Sequence, residues 1–406
     1  MPAEKYIKMT EVSERLNRLA ESATLAMARM SRELKEEGYD IIALSLGEPD
    51  FDTPDFIKES AKKAIDNNFS HYTPVPGLLE LREAICRKFK RDNNLDFTPN
   101  QIVCSTGAKQ SLANLCLSLL NPKDEVLLPC PYWVSYVEII KLAEGVSVEI
   151  PSTITTDFKV TPEQLEAAIT PKTKLLMFSS PCNPSGTVYS KEELLAIAKM
   201  LEKYPDILII SDEIYEHINF TNAHFSIGTI PSMKERTITV NGLSKGFAMT
   251  GWRLGFIGAP LWIANACNKV QGQITSATCA IAQKAGETAM LADPKAVTTD
   301  MKNTFLRRRD MLLEKLKEIP GIKCNIPKGA FYIFPDVSYY FGKKDGDKTI
   351  ENANDLCMYL LNKAHVALVS GAAFGNPECI RISYAAADDK LMEAAKRMKE
   401  KLAELK

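Results

Sequence analysis

Residues 236–255 read RTITVNGLSKGFAMTGWRLG. The apolar run at the start is typical of a buried strand. The loop after it places Lys245 among small and apolar residues, with Arg253 eight positions later. An ammonium is costly to bury, so Lys245 is either exposed in a glycine-rich turn or is a neutral, desolvated amine that can act as a nucleophile. On this stretch alone the exposed lysine is the commoner case.

Four other short apolar runs precede turn residues in the same way, and helical patterns lie between several of them. They are QIVCS at 101–105, DEVLLP at 124–129, TKLLMFSS at 173–180 and DILIISD at 206–212. Short, wholly apolar strands separated by helices indicate a largely parallel sheet covered on both faces. The sequence therefore predicts an α/β fold.

The pattern of apolar residues divides the chain into three parts. We expect residues 56–295 to form a large domain and residues 296–406 a smaller α+β domain, because strand-like runs such as CIRISYA recur near the end. Residues 1–55 are predicted to be an N-terminal arm that joins the smaller unit. A helix is expected over residues 10–38, where a glycine ends the pattern.

Composition restricts the function. Fifty basic and fifty-one acidic side chains give a formal net charge of −1, which offers no electrostatic argument for nucleic acid or an anionic membrane. The ten cysteines form no CxxC pair, so no metal site is expected. No apolar signal core or membrane-length run occurs, and a soluble cytoplasmic protein is the expectation.

Ligands of doubly wound sheets bind at the carboxyl ends of the strands. After QIVCS, the backbone of Thr106, Gly107 and Ala108 could hold a phosphate at a helix N-terminus, although a plain tight turn is as common. Neither GxxxxGK[ST] nor GxGxxG is present, which argues against a nucleoside triphosphate or a dinucleotide.

The loops after the next strands carry an aromatic side chain and an amide that could contact a ligand. Trp133 could face a planar ligand, although tryptophan more often packs in a core. Asn183 lies in a proline-bounded loop that could aim its amide, or the loop is an ordinary turn. Asp212 follows four apolar residues and one serine, so it is either a partly buried carboxylate that needs a partner or a helix N-cap. Tyr215 lies within reach of the same space.

These strand ends together deliver a phosphate site, a flat ring, an amide, a carboxylate with a phenol, and a lysine followed by an arginine. A phosphorylated aromatic aldehyde with a ring nitrogen uses each of these groups, and pyridoxal phosphate is such a molecule. Five independent structural explanations would otherwise have to coincide in the correct order. The set therefore favours the reactive interpretation of Lys245.

The sequence resembles the class I (fold-type I) pyridoxal-phosphate aminotransferases over nearly the whole chain. The stretches that carry the resemblance are SLGEPDFDTP, HYTPVPGLLELREAI, CSTGAKQ, PYWVSY, SSPCNPSGTVY, SDEIYEH, SKGFAMTGWRLG, KGAFYIF and IRISYA. Within the class it is most similar to the bacterial and plastid-type aspartate aminotransferases, including the aspartate/prephenate group. The resemblance implies a seven-stranded, mostly parallel sheet in the large domain and a homodimer with active sites at the interface.

The resemblance also implies cofactor contacts. They are Tyr72 (from the neighbouring subunit), Gly107, Ala108, Lys109, Trp133, Asn183, Asp212, Tyr215, Ser244, Lys245 and Arg253. Lys245 would bond to the cofactor aldehyde and later move the substrate proton, and Asp212 would pair with the ring nitrogen. Tyr215, the third catalytic candidate, would bond the ring hydroxyl together with Asn183. Read without the resemblance, Tyr72 is the more usual core tyrosine.

Substrate contacts are implied in the same way. Arg381 would clamp the α-carboxylate, with the Gly47 backbone closing over it and Trp133 and Asn183 beside it. Thr24 and Lys109 match positions that hold a second carboxylate in the aspartate/prephenate group. By its own sequence context Arg381 could equally be a surface arginine. Two departures from the family pattern, Cys182 and Ser185, leave Asn183 in place.

The expected reaction is a ping-pong transfer of the amino group between aspartate or glutamate and 2-oxo acids such as oxaloacetate and 2-oxoglutarate. Alternatives are an aspartate/glutamate-prephenate aminotransferase that forms arogenate, or an aminotransferase with broader, aromatic specificity. A β-lyase, a decarboxylase or an aminocyclopropane-type synthase would share the cofactor residues. A DNA-binding regulator with an aminotransferase unit is disfavoured, because the net charge is −1 and only about 20 residues precede the shared segments.

Overall fold

The computed structural model describes residues 12–221 and 223–406. The first eleven residues of the predicted N-terminal arm therefore lie outside the described residues. The helices are α1 (Glu14–Asn17), α2 (Ala23–Glu36), α3 (Asp55–Asp66), α4 (Leu79–Lys88), α5 (Ala108–Leu119), α6 (Ser135–Leu142), α7 (Pro162–Ala167), α8 (Lys191–Leu201), α9 (Leu261–Ile274), α10 (Ala280–Leu291), α11 (Pro294–Lys317), α12 (Ala353–Tyr359) and α13 (Asp388–Leu402).

Most of the longer strands belong to one large sheet, and the shorter ones lie near the two ends of the chain. The strands are β1 (Ile42–Ala43), β2 (Ile102–Ser105), β3 (Glu125–Pro129), β4 (Val146–Ile150), β5 (Thr173–Ser179), β6 (Leu208–Asp212), β7 (Thr237–Gly242), β8 (Gly255–Gly258), β9 (Tyr332–Ile333), β10 (Lys344–Asp345), β11 (Lys348–Thr349), β12 (Val366–Ala367), β13 (Val369–Ser370) and β14 (Ile380–Ser383).

The large sheet has seven strands in the order β2-β8-β7-β6-β5-β3-β4. Strand β8 is antiparallel to both of its neighbours, and the other pairs in the sheet are parallel. All five runs that the sequence marked as strands lie in this sheet. Because β2 and β7 flank the reversed strand β8, they point the same way, and six carboxyl ends meet at one edge.

Helices cover both faces of this sheet because successive strand side chains point to opposite sides. In β6, Leu208 and Ile210 belong to the core that includes residues of α5, α6 and α9. Ile209, between them, belongs to the core on the other face, which includes residues of α8. All three side chains are buried, so the strand reads as a continuous apolar run rather than an alternating one.

A separate apolar cluster joins the N-terminal and C-terminal parts of the chain. Strand β1 pairs in parallel with β12, with Ile42 opposite Val366, and β13, β14 and β9 form an antiparallel sheet. Met27 and Leu44 pack in the same apolar cluster as residues of α11, α12 and α13. The exact limits of the three predicted parts remain a prediction.

The N-terminal helical prediction needs one adjustment. Instead of one helix over residues 10–38, the described part contains α1 and α2, with a break before Ala23. Gly38 follows α2 with a φ of +98°, which explains why the helix ends there. Across residues 12–221 and 223–406, no helix is both long and apolar enough to cross a membrane.

Candidate active site

The predicted cofactor residues follow five parallel strands at one edge of the large sheet. Lys109 is the second residue of α5, which follows β2, and Trp133 precedes α6 after β3. Asn183 follows β5, Asp212 ends β6, and Lys245 lies in the loop after β7. These side chains line a single cavity of about 200 Å³. The topology therefore brings together groups that are far apart in sequence.

Ten of the predicted site residues line this cavity. They are Thr24, Gly47, Ala108, Lys109, Trp133, Asn183, Asp212, Tyr215, Lys245 and Arg381. Gly107, Ser244 and Arg253 lie directly next to these in sequence or in space, on the wall formed by the loops after β2 and β7. Tyr72 lies elsewhere on the surface.

Lys245 is partly buried in the cavity wall. Burial, and then the positive charge of Arg381, lowers the pKa of this amine to about 8. Its Nζ donates a hydrogen bond to the Gly47 carbonyl oxygen, so the N-terminal segment contacts the loop after β7. Roughly a tenth of the amine is therefore uncharged at pH 7, enough for it to act as a nucleophile.

Asp212 is 4% exposed. Its Oδ2 accepts a hydrogen bond from the Tyr136 hydroxyl at 2.7 Å, and its Oδ1 accepts one from the Ile214 backbone N–H at 3.2 Å. Burial raises the pKa of Asp212 to about 6, although both hydrogen bonds and the charge of Lys245 oppose that rise. The carboxylate sits at the end of a buried strand, oriented by two donors.

Arg381 is a buried cation, with 1% of its surface exposed. Its Nη1 donates to Asn183 Oδ1 at 2.9 Å, and its Nη2 donates to the Ser45 carbonyl oxygen. Thr24 Oγ1 lies 3.5 Å from the same Nη2. In the described chain no carboxylate lies within ion-pair distance of Arg381, and its Nε has no hydrogen-bond partner. A buried guanidinium of this kind calls for an anionic ligand.

Two tyrosines connect the arginine to the catalytic candidates. The Tyr332 ring lies 4.7 Å from the Arg381 guanidinium carbon, and its hydroxyl is 2.8 Å from the Tyr215 hydroxyl. Gly47 approaches the Tyr332 hydroxyl so closely that a β-carbon there would collide with it. Glycine is thus required where the N-terminal segment crosses the cavity.

The start of α5 offers an anion site. Gly107 precedes the helix with a φ of +81°, and the guanidinium of Arg253 packs against it. Arg253 donates to the Thr250 carbonyl oxygen at 2.8 Å but has no carboxylate within ion-pair distance among residues 12–221 and 223–406. Ser244 is buried beside this corner. Helix N–H groups and a free guanidinium suit a phosphate.

Lys109 and Trp133 form a second charged wall of the cavity. The Lys109 ammonium lies 5.0 Å from the centre of the Trp133 ring. Burial, and then the nearby charge of Arg253, lowers the pKa of Lys109. Ser22 and Thr24 at the start of α2 line the same space.

Tyr72 is 99% exposed in the single chain. It lies in the loop between α3 and α4 and lines a separate surface depression together with Thr278 and Cys279. The interpretation of Tyr72 as a core residue is therefore wrong. A fully exposed tyrosine is what a contribution to a neighbouring subunit's site would require.

The comparisons with known proteins bear on this geometry. Residues 39–397 match the family model for aminotransferase class I and II. The chain belongs to this family and is an aminotransferase. The predicted family is confirmed.

Individual relatives align with nearly the whole length of this aminotransferase. It is 47% identical over 400 residues to a bifunctional aspartate aminotransferase and glutamate/aspartate-prephenate aminotransferase from Petunia hybrida, covering 97% of this chain and 83% of that protein. It is 45% identical over 393 residues to an aspartate/prephenate aminotransferase from Cereibacter sphaeroides, covering 96% and 98%. The crystal structure of an aspartate aminotransferase from Rhizobium meliloti superimposes with a TM-score of 0.94 at 38% identity, covering 98% and 100% of the two chains. That match confirms the predicted fold class.

Sequence reasoning missed several groups that border the site of this aminotransferase, among them three side chains and one backbone carbonyl. Tyr136 and Ser179 line the cavity from α6 and β5, and Tyr332 lines it from β9. Ser45 contributes only its carbonyl oxygen, to Arg381. PYWVSY contains Tyr136 and KGAFYIF contains Tyr332, but no local pattern marks which aromatic side chain of each stretch points into the cavity.

Proposed function

We propose that this aminotransferase depends on pyridoxal phosphate and uses aspartate or glutamate as donor and a 2-oxo acid as acceptor. The observation that carries the proposal is a pair of cations, Arg381 and Lys109, that line one cavity. Within the described residues, neither lies within ion-pair distance of a carboxylate. A dicarboxylic substrate supplies two carboxylates for them.

The residues present fit the cofactor. Gly107, the N-terminus of α5 and Arg253 form a cradle for a phosphate, which a β-carbon at position 107 would close by colliding with the guanidinium. Asp212 would hold a protonated ring nitrogen, and Trp133 would lie against the ring. When bound, pyridoxal phosphate supplies an electron-accepting ring that stabilises negative charge on the substrate Cα.

The chain's own residues account for binding and proton transfer. Arg381 binds the substrate α-carboxylate, and Asn183 holds the guanidinium in place through its Oδ1. The uncharged form of Lys245, which is accessible because burial lowers its pKa to about 8, would carry the proton from the substrate Cα to the bound cofactor, and the opposite half-reaction would run that transfer backwards. Tyr215 and Asn183 would orient the ring hydroxyl. Lys109 and Thr24 would bind the side-chain carboxylate.

A second acceptor is prephenate, a 2-oxo acid that also carries two carboxylates. The names of the Petunia hybrida and Cereibacter sphaeroides relatives favour it. The same pair of cations would hold both of its carboxylates. Oxaloacetate and 2-oxoglutarate are the simpler acceptors.

We further propose a homodimer in which Tyr72 completes the phosphate site of the neighbouring subunit. Its full exposure in the single chain supports this arrangement. We propose the cytoplasm as the site of the reaction, because all ten cysteines are free and a reducing compartment keeps them so.

Steady-state kinetics test the substrate class. We would measure kcat/KM for aspartate, glutamate, alanine and phenylalanine, with 2-oxoglutarate, oxaloacetate and prephenate as acceptors. Because only a dicarboxylic donor brings a second carboxylate to pair with Lys109 inside the cavity, the dicarboxylic donors should exceed alanine and phenylalanine by roughly thirtyfold or more. If alanine or phenylalanine is the better donor, the roles given to Lys109 and Thr24 are wrong.

A further inference from the structure

Tyr136 is the second residue of α6 and is fully buried. Its ring packs edge-on against Trp133, with the ring centres 5.6 Å apart, and it lines the active-site cavity. The helix begins directly after the loop that follows β3, so its first turn faces the strand ends. None of the roles in the proposed reaction uses this side chain.

The Tyr136 hydroxyl faces two groups, Asp212 and Ser179. It donates to Asp212 Oδ2 at 2.7 Å, and both residues are buried. Hydrogen bonds to an ionised carboxylate are short and about twice as strong as neutral ones. In the described chain, the other donor to Asp212 is the Ile214 backbone N–H, at the longer distance of 3.2 Å.

Several further groups act on Asp212 through their charge or dipole. Those near enough to matter are Cys182, Glu213, Tyr215 and Lys245. Glu213 opposes ionisation of Asp212, and Lys245 favours it. Of the groups that favour the carboxylate, Tyr136 has the largest effect. Burial raises the pKa of the Tyr136 phenol well above its usual value, so the phenol stays protonated and remains a donor.

We propose that Tyr136 is a positioning residue whose hydroxyl holds Asp212 ionised and in one orientation at the cavity wall. This inference rests on the proposed function, in which Asp212 pairs with the protonated ring nitrogen of the cofactor. Phenylalanine fills the same volume without the hydroxyl, so Tyr136→Phe removes the donor and keeps the packing against Trp133.

The direct test is a titration of Asp212 in the cofactor-free protein. Isotope-edited infrared spectroscopy would follow the aspartate carboxyl band against pH, with Asp212→Asn identifying the band. The wild-type midpoint should lie near 6. In Tyr136→Phe it should rise by about one pH unit, since a donor to a charged group has been removed. In the loaded enzyme, the acid limb of kcat against pH should move in the same direction.

Tyr384→Phe is the matched control, because Tyr384 is also fully buried and donates to a different acceptor, the Ala330 carbonyl oxygen at 3.1 Å. Its Asp212 midpoint should equal that of the wild type. Should Tyr136→Phe fail to fold, 3-fluorotyrosine at position 136 decides the question. Its more acidic phenol is a stronger donor and should lower the midpoint.

An unchanged midpoint in the folded Tyr136→Phe protein, or in the fluorotyrosine protein, would overturn the inference. The proposed function and the role of Tyr136 can be refuted independently of each other. A wild-type enzyme that does not transaminate refutes the proposed function, whereas the infrared titration still measures the contact between Tyr136 and Asp212. A wild type and Tyr384→Phe that transaminate, with an unshifted Tyr136→Phe, refute the role of Tyr136 alone.

Discussion

Lys245 combines a buried setting with two cationic neighbours, Arg381 and Arg253, which both disfavour its ammonium form. Glu48 and Asp212 act in the opposite sense, yet the pKa of Lys245 falls to about 8 rather than the ordinary 10.5. Such a lysine is poised to react with an aldehyde at neutral pH.

A pH series tests this setting of Lys245. Only the neutral amine attacks an aldehyde, so the rate of covalent attachment of pyridoxal phosphate to the cofactor-free protein should rise with pH and level off near pH 8. Stopped-flow absorbance would measure it, normalised to a free lysine derivative, with Lys245→Arg as the blank. A rise that continues towards pH 10.5 would refute the lowered pKa.

The second cation tests substrate recognition at a single residue. Lys109→Met should lower kcat/KM for aspartate by roughly thirtyfold and change that for phenylalanine less than about threefold, because only aspartate loses a charge partner. Lys199→Met, in an exposed helix position, is the control and should change neither value. Equal losses for both donors would show that Lys109 does not read the side-chain carboxylate.

The site residues differ in how far sequence alone could identify them. Lys245 and Asp212 follow apolar strands, so their burial and convergence at one sheet edge could be argued from local pattern. Arg381 and Tyr72 look like ordinary residues locally, and only the family resemblance selects them. Tyr136 depends on a contact between α6 and β6 that no local pattern encodes.

Among the elements, the segment after β6 is held by a buried polar network. Lys88 at the end of α4 pairs with Glu216 and donates to Asn93 Oδ1 at 2.5 Å. The Asn93 amide in turn donates to Glu213 at 3.0 Å and to Glu216 at 2.6 Å. This network fixes the segment that carries Asp212 and Tyr215.

Lys88→Met should therefore destabilise the fold strongly. Lys88 is 1% exposed, and its removal leaves the Glu216 carboxylate buried without its cation, a loss of about 3–5 kcal/mol in the free energy of unfolding. Lys199→Met removes a lysine that is 83% exposed and should cost less than about 1 kcal/mol. Urea unfolding at pH 7 measures both. Similar values for the two variants would contradict the account.

The same network predicts a pH dependence. Burial would raise the pKa of Glu216, but the charges of Lys88, His217 and His224 hold it at about 2. A lowered carboxyl pKa stabilises the fold above the unfolded value of about 4.5, and that stability is lost as the pH falls through 2. The stability difference between the wild type and Lys88→Met should therefore shrink in acid. A stability difference between the two proteins that stays constant down to pH 2 would contradict this prediction.

Two strands of the large sheet were not predicted from the apolar runs. Strand β8 begins and ends in glycine, so its four residues read as the end of a loop. Strand β4 lies at the sheet edge, and its exposed Val146 and Glu149 break the apolar pattern. A strand that is buried on both faces can be recognised in the sequence by its continuous apolar run, and β4 and β8 lack such a run.

At the scale of the whole molecule, the proposed homodimer has active sites built from two chains. The exposed Tyr72 cannot serve the cavity of its own chain, which it does not line. Composite sites of this kind occur at two-fold interfaces, where each copy gives the same residue to the other.

Subunit complementation tests the composite site. Lys245→Ala should abolish activity, and Tyr72→Ala should weaken it by lowering cofactor affinity. A hybrid dimer of the two variants has one site with both changes and one with neither. Equal mixing after dissociation should therefore restore about a quarter of wild-type activity. Activity that stays at the mean of the two parent variants would place Tyr72 outside the neighbouring site.

The central claim is that Lys245 is the covalent anchor of the cofactor. The most direct measurement is borohydride reduction of the protein loaded with pyridoxal phosphate, followed by digestion and peptide mass spectrometry. The account predicts a single stable pyridoxyl group, on the peptide that contains Lys245, and its disappearance when aspartate is added before reduction. A label on another lysine, or no label at all, would contradict it.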